Sequence, residues 1–173
     1  MLDRLSDTPA LIVSTLMEVL VQNRLAEALY GDRSRHTGLA RSEIYRWFTD
    51  PAERRVYPEH DRDWQSRSLV ANLRAAHGTM GSQSRAGELV RALLAKSAEF
   101  ARLWERHEVA ARFTDHKVLI HPELGEIEVD CQVLFTEEQS QALLVLTAPP
   151  RSEAFEKIRL LGVLGHEQFE DVR

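Results

Sequence analysis

The sequence holds one cysteine, Cys131, so no internal disulfide can form and no Cys-rich zinc signature exists, in keeping with a reducing compartment. Eight glycines and six prolines among 173 residues exclude collagen-like and low-complexity chains. Long apolar runs are also missing. The longest, Gln141 to Ala148, falls far short of a bilayer span, and no basic segment followed by an apolar one opens the chain. Neither a membrane anchor nor a signal peptide is expected, and the cytoplasm is the expected location. Excess positive charge is absent too: 22 Lys plus Arg stand against 27 Asp plus Glu, a net charge of −5. That balance excludes a polyanion-binding surface spread over the whole chain. The acids concentrate late, with 12 acidic and 6 basic residues in 111–173. Arg54, Arg55, Arg62, Arg67 and Arg74 are interspersed with acids and read as a solvated helical face.

What is present is enough apolar material, 43% of residues, to bury one core, and the length suits a single domain over 1–173. Ala10 to Leu16 and Glu18 to Asn23 read as two antiparallel strands. Asn23 is placed to cap a short helix that Gly31 ends. Ile44, Tyr45 and Phe48 share a helical stripe with Trp47 at its edge, and Asp50-Pro51 restarts a helix. Leu69, Val70, Leu73 and Ala76 mark a long helix from about Asp61 to His77, stopped by Gly78. Ala86 to Leu94 marks another helix, and Ser97 caps a third in which Phe100, Leu103, Trp104 and His107 fall at i, i+3, i+4 and i+7. Beyond Ala111 the period becomes two: strands over Lys117 to His121, Glu126 to Leu134 and Gln141 to Ala148, then a helix from about Ser152 to Leu161 and a frayed acidic tail after about residue 163. The fold class is α+β, one five-stranded antiparallel sheet with several helices against one face.

Chemistry has little support. Seven histidines show no metal-ligand spacing, and His116 and His121, five apart, would face opposite sides of one strand. The row Glu126, Glu128, Asp130 reads as a solvated strand face. Cys131 lies on the apolar face of its strand, where a thiol is inert. No nucleophile elbow or phosphate loop occurs, so no enzyme, metal or cofactor is expected. Aromatic side chains instead gather on helical stripes. They either fill the core or line a gap for an elongated apolar ligand, with His107, Ser66 or His77 near its polar head.

Several stretches, taken in order, carry a resemblance. Asp7 to Asp32, with Asn23 and Gly31, resembles the opening of a PAS domain. The likeness continues through Trp47 to Pro58, Ser68 to Gly78, Glu88 to Val109 and His121 to Leu134, above all in S-x-E-F-x-x-L-W-x-x-H-x-V followed by H-P-x-x-G. Together they resemble the ligand-binding domain of MmyB-like transcription regulators. That resemblance implies a PAS-like sensor for a small apolar, fatty-acid-like molecule, acting as a homodimer on an attached helix-turn-helix of the XRE type. No helix-turn-helix pair precedes the sensor in this chain, so DNA contact is expected only through a parent protein. The expected ligand contacts, chosen from helix faces, are Tyr45, Phe48, Leu69, Leu73, Phe100, Leu103, Trp104 and His107. The alternative is a dimerisation or partner-binding module with a filled core.

Overall fold

Asn23 explains how the chain turns from strand to helix. In the computed structural model, which describes residues 2–108 and 116–170, its Oδ1 accepts from the N–H of Ala26 at 2.9 Å and of Ala10 at 3.0 Å. Its Nδ2 donates to the carbonyls of Thr8 at 2.8 Å and Leu5 at 3.0 Å. One buried amide thereby caps α1 (Arg24–Tyr30) and ties it to β1 (Ala10–Ser14) and to the segment before it. Gly31 closes α1 at φ 81°, a backbone region that only glycine enters without strain.

β1 pairs antiparallel with β2 (Val19–Gln22), with an irregularity between Ile12 and Val13. β3 (His116–His121), β4 (Gly125–Phe135) and β5 (Gln141–Thr147) follow as antiparallel neighbours. The order across the sheet is β2-β1-β5-β4-β3. β5 is central, which accounts for apolar residues on both its faces. In β4 Ile127, Val129 and Cys131 are buried while Glu126, Glu128, Asp130 and Gln132 are exposed, the alternation expected of a sheet with one wet face. The tight β3–β4 turn rests on His121. Its Nδ1 accepts from the N–H groups of Glu123 and Leu124 at 3.2 and 3.3 Å, and its Nε2 donates to the Ala28 carbonyl of α1 at 3.2 Å. Gly125 supplies the positive φ that completes the turn. The last helix, Glu153–Glu170, packs on β4 and α1 through Ala154, Ile158 and Leu161. It runs nine residues past the expected Leu161, because Gly162 and Gly165 within a helix weaken it without breaking it.

These strands, α1 and the last helix make one compact unit; residues 14–18 and four central helices make another. In the second, α2 (Glu43–Thr49) leads through Asp50, whose side chain accepts from Ala52 N–H, into a 3₁₀ helix (Pro51–Val56). α3 (Arg62–Met80) is longer than expected. Gly78 lies inside it, and the helix stops where Gly81 takes φ 88° and donates to the His77 carbonyl. α4 (Arg85–Lys96) is capped by Ser84 and α5 (Ala98–Glu105) by Ser97. α3, α4 and α5 pack on one another around Leu69, Leu73, Leu89, Leu93 and Phe100. With its single five-stranded antiparallel sheet and several helices, the chain has the α+β, PAS-like architecture expected. We give the last helix, Glu153–Glu170, the label α6.

Candidate ligand site

Three of the expected contact residues form a ladder of rings. Phe48 of α2 meets Phe100 of α5 edge-on at 5.3 Å, and Phe100 stacks on Trp104, one turn later, at 5.5 Å and 22°. Spacing i, i+4 places the last two on one face of α5. Phe100 is fully buried, Phe48 and Leu103 are buried, and Trp104 is half-buried, so the ladder runs from the interior of the helical unit outward. Leu69 and Leu73, one turn apart on α3, are buried in the same unit.

Two expected residues stand elsewhere. Tyr45 is tied to α4, its hydroxyl accepting from Lys96 Nζ at 2.7 Å while that ammonium lies 5.4 Å from its ring centre. His107 is a correction. The stripe places it at i+7 of α5, but the helix ends at Glu105, and His107 is exposed at φ 52°, its Nδ1 donating to the Glu105 carbonyl at 2.7 Å. A residue beyond the last turn no longer shares the helix face.

A polar clamp, not foreseen from spacing, braces the ladder. Trp47 Nε1 donates to Ser66 Oγ at 2.8 Å, and Ser66 Oγ donates in turn to Glu99 Oε1 at 2.8 Å. Glu99 Oε2 accepts from Arg54 Nη2 at 2.6 Å, and Arg54 Nε donates to the Trp47 carbonyl at 3.0 Å. The Arg54 guanidinium also lies 5.2 Å from the Trp47 ring centre and 5.8 Å from that of Phe48. Ser66, considered above as a head-group contact, therefore has its hydroxyl committed between an indole and a carboxylate. Each residue of S-x-E-F-x-x-L-W now has a physical task. Ser97 caps α5, Glu99 anchors the clamp, Phe100 and Leu103 are buried, and Trp104 ends the ladder.

At that end sits Arg74 of α3. Its guanidinium carbon lies 4.3 Å from the Trp104 ring centre, and Nη2 donates to the Trp104 carbonyl near the C-terminus of α5. His77 meets the same indole edge-on at 5.8 Å. Burial lowers the Arg74 pKa from its ordinary value, and the group stays cationic. The reading of Arg54 and Arg74 as part of a solvated face is thus corrected, since both cover aromatic rings, whereas the half-exposed Arg67 pairs with Asp63 and Glu108 as such a face does. Charge spacing alone does not separate a guanidinium in water from one lying on an indole.

Among the described residues no three His, Cys, Asp or Glu side chains cluster as a metal site, and no helix is long and apolar enough to cross a membrane. No curated protein matches the chain. The family description "MmyB-like transcription regulator ligand binding domain" matches residues 1–161. Covering the sheet, the helices and the aromatic ladder alike, that match shows that the chain belongs to the family of ligand-binding domains of MmyB-like transcription regulators.

Proposed function

We propose that the chain is the sensor of a cytoplasmic transcription regulator and holds a fatty-acid-like molecule. The carrying observation is the family match over 1–161, which makes small-molecule binding in a regulator the task of this domain. The aromatic ladder supports an elongated apolar ligand, with Phe48, Leu69, Leu73, Phe100, Leu103 and Trp104 as its contacts, Tyr45 at the margin and His107 outside. Each methylene removed from water contributes about 0.8 kcal/mol, ample for micromolar binding after association losses. Binding controls DNA only if the ligand prefers one arrangement of the domain over another, transmitted through a homodimer to XRE-type helix-turn-helix heads.

A filled-core dimerisation module is the second reading, favoured by the way Phe48, Phe100 and Trp104 already satisfy one another. Native mass spectrometry of the purified chain separates the two. An added mass that organic solvent extracts as lipid, together with a dimer, supports the sensor. Repeatedly empty protein with no thermal shift from fatty acids supports the module.

A further inference from the structure

The β1–β2 hairpin is divided between the two compact units. Its strands lie with the sheet, up to Val13 and again from Val19, while its turn, residues 14–18, lies with the central helices. Ser14 closes the turn on itself. Its N–H donates to the Glu18 carbonyl at 2.9 Å, and its Oγ accepts from the N–H groups of Leu16 and Glu18 at 3.2 Å each. The turn is then gripped from the helical side. Ser42 Oγ, immediately before α2, donates to the Leu16 carbonyl at 2.6 Å, and the Glu43 N–H donates to the Met17 carbonyl at 3.0 Å. The Glu18 carboxylate lies 3.5 Å from Arg85 Nη2 at the start of α4. Leu16, Met17 and Ser42 are all buried, so water does not replace these bonds cheaply.

Two irregularities fall at the same place. Met17 takes φ 55°, a left-handed backbone that side chains other than glycine enter only at a cost, and one that persists where the surroundings hold it. At the other end of the turn, the pairing of β1 with β2 shifts register between Ile12 and Val13. No residue of β2 is buried, so no core-facing row of side chains pins its alignment on β1. In such a hairpin the turn sets the register. We propose that residues 14–18 are the coupling element of the fold: the helices grip the turn, and the turn sets how the amino-terminal hairpin pairs. This goes beyond the ligand reading and holds whatever the domain binds. It names the part through which a change in the helices is passed to β1 and β2.

The test is a double-mutant cycle on the whole chain, read by amide hydrogen exchange. Leu89→Val loosens the fully buried centre of α4, which packs on α2 and α3. The reporter is the Asn23 N–H, bonded to the Ala10 carbonyl at the far end of the hairpin, and the amides paired between β3 and β4 are the control. With the turn intact, Leu89→Val is expected to speed Asn23 exchange about fivefold to tenfold and the control amides less than about twofold. In a Ser42→Ala background, which cuts the bond to Leu16, the same step moves Asn23 less than about twofold. Equal acceleration of hairpin and control overturns the proposal, since the sheet then responds as one body. So does an Asn23 amide that ignores Leu89→Val, or one that responds alike with and without Ser42. Should Ser42→Ala not fold, Met17→Gly takes its place, freeing the backbone of the turn without removing a bond; an undiminished hairpin response in that variant overturns the proposal instead.

Discussion

Asn23 serves four backbone partners with one side chain, two through its carbonyl oxygen and two through its nitrogen. Replacing it with Ala strips a helix cap and leaves the buried N–H of Ala10 and the half-buried carbonyls of Leu5 and Thr8 without this partner. Asn23→Ala is therefore expected to cost about 2–4 kcal/mol, read as a lower urea midpoint at unchanged slope. Asn23→Asp keeps the two accepted bonds but turns a carboxylate oxygen toward the Thr8 and Leu5 carbonyls at a buried site, so its loss is expected to be at least as large at neutral pH. The cap itself was legible, since an Asn before an apolar i, i+4 pair is a local signal. Its three further partners were not, because they come from residues 13 to 18 positions away. Arg54 and Arg74 fall on the same side of that divide: the sequence shows charged residues among acids, and only tertiary packing lays them on Trp47 and Trp104.

For the elements, two glycines within helices make a controlled pair. An added Cβ at Gly87, in α4, would lie 1.9 Å from the Ser82 carbonyl oxygen, so the backbone before the helix must move. At Gly78, in α3, nothing lies within 4 Å. Gly87→Ala is expected to lower stability by about 1–3 kcal/mol and Gly78→Ala to raise it by about 0.5–1 kcal/mol. Thermal unfolding followed by circular dichroism gives both signs in one series. The same pair shows where element boundaries escape a sequence reading. Gly78 and Gly81 are equally able to end a helix, and the choice falls to Gly81, the one with positive φ. Strands were more legible: β4 alternates without interruption from Glu126 to Gln132, so both its faces could be assigned. His107 was misplaced because periodicity continues on paper past the point where α5 ends.

At the scale of the whole molecule, the α+β class and the order of strands and helices followed from periodicity, while the function rested on a series of short motifs that composition does not explain. If the domain is a sensor, occupancy must also appear as stability. Dodecanoate at a hundredfold excess over Kd adds about 2.7 kcal/mol, which raises Tm by about 5–11 °C for a chain this long. A scan with and without the fatty acid checks it, and an unmoved Tm counts against the sensor. The sheet also sets a schedule for synthesis. β1 lies beside β5 at the centre of the sheet order, and Leu146 N–H donates to the Pro9 carbonyl at 3.0 Å, so one half of this junction is made long before the other. At about 5–20 residues per second the ribosome delivers that partner roughly ten seconds later. During that interval Ala10, Leu11 and Val13 have β2 and α1 beside them but not β5, so the nascent amino-terminal hairpin carries an unpaired strand edge for a chaperone to cover.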